Sequence, residues 1–119
     1  MTTKAAIITT TAPNREEAEK TGMLLLQNRL AACVQYEEIE SQYIWNGEIC
    51  RDTEIRITVK TLAQHYDAIE KLIAANHSYK CPQILMQSVA DGYAPYLAWL
   101  DAEIGQTDGQ NGKTAAPTV

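Results

Sequence analysis

Between residues 77 and 82 the chain reads His77-Ser78-Tyr79-Lys80-Cys81-Pro82, which brings an imidazole, a phenol, an ammonium and a thiol into one short run. His77 and Cys81 are residue types that ligate copper or another divalent metal, with a group from a neighbouring subunit to complete the set. A lone imidazole beside a lysine is a poor cation site, because ligands must supply electrons and compensate charge. The plainer reading of His77 is a loop histidine making ordinary hydrogen bonds. Cys33 faces Lys60 in the hairpin register given below, and a nearby ammonium favours the thiolate. Nucleophilic catalysis would also want a histidine base, and neither His65 nor His77 is placed there by the sequence. Glu37 faces Arg56 with Glu54 diagonal to it, an anion-binding or subunit-bridging network whose commoner role is structural. Tyr43, Trp45 and Trp99 suit either a small-molecule cleft or interface packing, and aromatic anchors favour the interface. His65 reads as solvated.

The elements that must position these groups follow from pattern. Residues 4–12 are rich in β-branched side chains and closed by Pro13, which predicts a strand. Asn14 followed by Glu17 is an N-cap signature, so a helix is expected over about 14–32. Asn46-Gly47 is a strong hairpin signal, a type I′ turn. With that turn fixed, opposed residues have numbers that sum to 93, so Cys33 meets Lys60, Glu37 meets Arg56 and Ile44 meets Ile49. One face is then apolar and the other mixed and charged. Each arm spans roughly 40 Å at the strand rise, far more than the domain's own radius. The tip, with Tyr43, Ile44 and Trp45, should therefore overhang its domain and want a partner surface.

Helical spacing returns over 62–76, a strand is expected over Gln83–Ala90, and a last short helix carries Tyr93, Tyr96, Leu97, Leu100 and Ile104. The order β-α-β-β-α-β-α is an α+β, ferredoxin-like βαββαβ with an extra C-terminal helix. One domain is expected over 1–104, with both repeat helices on the apolar sheet face and the charged face bare. Residues 105–119 show no periodicity and read as a disordered tail.

The chain has 119 residues and a formal net charge of −5. Its pI near 4.9 weighs against nucleic acid, whose binding rests on Lys and Arg neutralising phosphates. No apolar run nears the roughly 20 residues of a membrane span, and the first residues lack a signal-peptide core. Three well-separated cysteines fit neither a disulfide framework nor paired zinc-ribbon elements, so reduced thiols in a cytoplasmic protein are expected. HExxH, GxSxG, GxGxxG and GxxxxGK[ST] are all absent, which points away from an enzyme and from nucleotide binding.

From about residue 5 to residue 104 the chain resembles the CutA family of divalent-cation tolerance proteins. The marks are Thr10-Thr11-Ala12-Pro13, Arg29-Leu30-Ala31-Ala32-Cys33-Val34, the hairpin Ser41-Gln42-Tyr43-Ile44-Trp45-Asn46-Gly47-Glu48, and Glu54 with Val59-Lys60-Thr61. The loop His77 to Pro82 and the ending Tyr96-Leu97-Ala98-Trp99-Leu100 complete the set. The resemblance implies a trimer built like the PII signalling proteins, with sheets toward the three-fold axis. Tyr43, Ile44, Trp45, Glu37 and Glu54 then fall at the trimer interface. It implies a non-enzymatic role in metal tolerance, with weak inter-subunit sites and no obligatory cofactor. The alternative it allows is a PII-like module holding a small anionic ligand in an inter-subunit cleft, with Cys33, Arg56, Lys60, Tyr79 and Lys80 around it. The loop departs from the family pattern at Ser78, Lys80 and Gln83, which removes two oxygen ligands and adds a cation.

Overall fold

The structure, a computed structural model, describes residues 4–105. The tail expected over 105–119 lies outside them except for Gly105. The elements run β1 (Ala5–Ala12), α1 (Arg15–Gln27), β2 (Cys33–Trp45), β3 (Glu48–Leu62), α2 (Tyr66–Asn76), β4 (Ile84–Ser88) and α3 (Ala94–Ile104). The four strands form one antiparallel sheet in the order β2-β3-β1-β4, which leaves β2 and β4 as its edges. This is the expected α+β order with its additional helix.

Asn14 caps α1 as read, its Oδ1 accepting the Glu17 N–H at 2.8 Å. The helix stops at Gln27 and does not reach 32. Arg29 takes a left-handed φ of 57°, and the Leu30 N–H closes back on the Leu25 carbonyl at 3.0 Å, which satisfies the helix end. The second helix also begins later than its apolar spacing suggested. β3 continues to Leu62, and a 3-10 turn over Ala63–His65 precedes α2.

The β2–β3 register holds from Cys33↔Lys60 through Glu37↔Arg56 to Trp45↔Glu48, every pair summing to 93 without a bulge. Asn46 and Gly47 supply the two positive φ values, 53° and 78°, that the turn demands. β1 pairs with β3 only as far as Ala12↔Ile55. Beyond Glu54 the hairpin therefore leaves the body of the sheet as a free two-stranded arm, and the molecule measures 48 × 27 × 25 Å.

On one face Ile8, Ala12, Ile55, Ile57 and Val59 bury against Ala18 and Leu25 of α1 and against Ile69 and Ile73 of α2. Strand alternation turns Ala5 and Leu62 to the other face, where they meet Leu100 and Ile104 of α3. The second face is thus not wholly bare: α3 closes the end away from the arm. His65, expected at the surface, is 4% exposed, and its Nε2 donates to the Ile104 carbonyl at 2.5 Å. The 3-10 turn rotates it inward, where it fastens the end of α3 to the sheet.

Candidate functional site

The 77–81 loop is held from three sides. The His77 side chain is 2% exposed. Its Nε2 lies 2.6 Å from the Thr11 carbonyl, and its Nδ1 lies 3.0 Å from the Tyr79 amide nitrogen. A carbonyl can only accept and an amide N–H can only donate, so the ring is the neutral tautomer protonated at Nε2. Glu17 Oε2 accepts both the amide and the hydroxyl of Ser78 at 3.0 Å each. The Tyr79 ring packs on His77 with centroids 4.7 Å apart, and its hydroxyl donates to Glu54 Oε1 at 3.1 Å. Burial, then the bond to Glu54, raise the Tyr79 pKa well above that of a free phenol.

The arm brings its own pairs. Arg56 donates through Nε and Nη2 to Glu37 Oε1 at 3.1 and 3.0 Å, as the register required. Arg51 pairs with Glu40 at 2.5 Å on the opposite face. Tyr43 donates its hydroxyl to Asp52, its diagonal neighbour, and that bond pushes the phenol up to about 12. Trp45 and Tyr43 stay 52% and 40% exposed.

Loop and arm enclose a groove of about 510 Å³, lined by Thr11, Ser41, Gln42, Tyr43, Trp45, Glu54, Tyr79, Lys80, Cys81 and Gln83. Of the residues singled out from sequence, Tyr79, Lys80 and Cys81 meet Tyr43, Trp45 and Glu54 here. Cys33, Arg56 and Lys60 do not line it. Lys60 lies six residues past Glu54 on β3, roughly 20 Å at the strand rise, and Arg56 is committed to Glu37. The anion-binding set of Arg56, Lys60 and Lys80 is therefore not assembled in one chain. Trp99 lies instead in the α3 core, its ring 5.6 Å from that of Tyr96.

Sequence reading missed Thr11 as the partner of His77 and Glu17 as the partner of Ser78, since contacts across more than 60 residues leave no local signal. Asp52 was accessible as the diagonal neighbour of Tyr43 in the derived register.

His77 and Cys81 do not fit a metal centre within one chain. Both imidazole nitrogens are engaged, so ligation would break the bond to the Tyr79 amide or to Thr11. Cys81 is exposed on the groove. Among the described residues no three His, Cys, Asp or Glu side chains come together to hold an ion.

Residues 6–103 match the family model described as CutA1 divalent ion tolerance protein. The divalent-cation tolerance protein CutA of Archaeoglobus fulgidus is 36% identical over 94 residues, 79% of this chain and 92% of that protein. The structure of the periplasmic divalent cation tolerance protein CutA from A. fulgidus superposes with a TM-score of 0.83 at 35% identity, covering 84% of this chain and 98% of that one. The chloroplastic CutA protein of Arabidopsis thaliana is 33% identical over 100 residues, 83% of this chain and 55% of that protein. These relatives correct the expectation of a cytoplasmic protein: one is described as periplasmic and one as chloroplastic. Widely spaced reduced cysteines do not fix a compartment.

Proposed function

Because the chain belongs to the CutA1 divalent ion tolerance family, we propose that it serves divalent-cation tolerance as a non-enzymatic homotrimer that takes cations, copper among them, weakly and as cargo. One observation carries this reading. Ile44 and Ile49 at the arm tip are 75% and 79% exposed, on a ribbon that has left its own core behind. Covering them removes apolar area worth about 25 cal/mol per Å², and association also shields the unpaired edges of β2 and β4. Tyr43, Ile44 and Trp45, with Glu37 and Glu54 on the charged face, form the interface in this reading. Assembly triples a charge of −5, which draws cations toward the surface without selecting one.

The non-enzymatic reading is supported by how the two histidines are spent. His65 donates to Ile104 and His77 to Thr11, so neither stands as a base beside a nucleophile. Calorimetric titration of the metal-free protein with copper and zinc tests the cation role. Weak, salt-sensitive heats that persist in His77→Gln are expected. Tight stoichiometric binding lost in that variant would make His77 a true ligand and contradict the reading.

A further inference from the structure

We propose that His77 is an acid-sensitive latch, which holds the 77–81 loop against the base of the arm while its ring is neutral and releases it on taking a second proton. Histidine is the side chain whose charge changes in the physiological range of pH. Here the neutral form is built into the fold. The Nε2–H donates to the Thr11 carbonyl, and the bare Nδ1 accepts the Tyr79 N–H. A proton on Nδ1 abolishes that second bond, because two donors then face each other.

The nearest charge decides where the new donor turns. Nδ1 stands 3.6 Å from Glu17 Oε2, the same oxygen that accepts the amide and the hydroxyl of Ser78. An imidazolium drawn to Glu17 competes with Ser78 for that oxygen and leaves the Tyr79 N–H without an acceptor. Both ties on the loop weaken together. The Tyr79 ring, packed on His77, then loses its support, and with it the hydroxyl bond to Glu54 at the arm base. The released loop binds one more proton at this ring than the latched one, so acid favours release.

Other charged groups around the ring are spent or distant. Arg56, opposite Thr11 on β3, is committed to Glu37, and Arg15 of α1 pairs with Glu19. Glu16 and Lys80 are exposed. β1 and β4 carry no titratable side chain, and α2 ends in Ile73, Ala74, Ala75 and Asn76. The latch makes no demand on the surface that assembly would cover: the His77 side chain is 2% exposed, and only a proton has to reach it.

The test is a pH titration of the ¹⁵N-labelled full chain from pH 8 to pH 5, followed by NMR. At pH 8 the His77 ring should be protonated at Nε2 alone. As Nδ1 gains its proton, the Ser78 and Tyr79 amides should shift in step and recover on return to pH 8. Exchange of the Tyr79 amide, corrected for its intrinsic pH dependence, should become at least about fivefold faster, the worth of one hydrogen bond. His77→Gln can keep both bonds without titrating and should lose the response. In Tyr79→Phe the loop should still respond, while the accompanying change at the amides of residues 50–54 falls away. These signals arise within one chain, so a monomer would show them too and the trimer is tested separately. An Nδ1–H tautomer at pH 8, a second proton on His77 with the Tyr79 amide unmoved, no second proton by pH 5, or an equal response in His77→Gln would overturn the latch.

Discussion

The Tyr79 hydroxyl donates to Glu54 Oε1 at 3.1 Å, and Glu54 is the first β3 residue past the end of β1 pairing at Ile55. A loop that follows α2 thus props the arm at the point where it leaves the sheet. Tyr79→Phe removes the hydroxyl and keeps the ring on His77. Urea unfolding should show a loss of about 0.5–1.5 kcal/mol, the net worth of one such bond. Trp45 emission should change as the arm base loosens.

The raised phenols set an alkaline limit. Tyr79 and Tyr43 titrate higher in the fold than in the unfolded chain, where a phenol ionises near pH 10. Below that pH both states hold the proton and the full stabilisation is present. As pH rises above about 10 the unfolded chain gives up its protons first, so stability falls. Thermal melts across pH 8 to 12 should show a fall beginning near pH 10, shallower in Tyr79→Phe. An equal fall in both proteins would contradict the role given to Tyr79.

Glu17 holds the other end of the same loop through both Ser78 bonds. Glu17→Gln keeps the shape and removes the charge. A loss of about 1–3 kcal/mol is expected for hydrogen bonds to a charged group, with faster amide exchange at Ser78 and Tyr79.

Gly22 lies where α1 crosses β2. A Cβ there would collide with the Tyr36 hydroxyl, and it would approach Val34 Cγ1 to 3.1 Å. Gly22→Ala gains helix propensity of about 1 kcal/mol but forces Tyr36 from its place. A net destabilisation of about 1–2 kcal/mol is expected from overpacking, measurable by chemical denaturation.

His65 fastens α3 through the Ile104 carbonyl. His65→Leu fills the space and leaves that carbonyl without its partner, at a cost of about 1–3 kcal/mol. Trp99, packed in the α3 core, should report the change by fluorescence while Trp45 stays unaffected.

Much of the fold was legible because one turn fixed it. Asn46-Gly47 sets the register of the whole hairpin, and with it the meeting of Glu37 with Arg56 and of Cys33 with Lys60. The end of α1 was not legible, because its left-handed residue is Arg29, where the usual signal is glycine. His65 was misread because Leu62 and its neighbours repeat at helical spacing although the strand continues through them. The groove draws on residues 11, 41–43, 45, 54, 79–81 and 83, brought together by the β1–β3 pairing and by Glu17 holding the loop. Sequence grouped Arg56, Lys60 and Lys80 by charge; the strand rise sets Arg56 and Lys60 apart along β3, and Lys80 lies on the loop before β4.

The central claim is that this chain is one part of a trimer built through its arm. Multi-angle light scattering on the full chain measures it directly. A mass three times the 13.2 kDa of the chain is expected, with Ile44→Glu shifting it downward. A mass of 13.2 kDa for the unaltered protein would contradict the account.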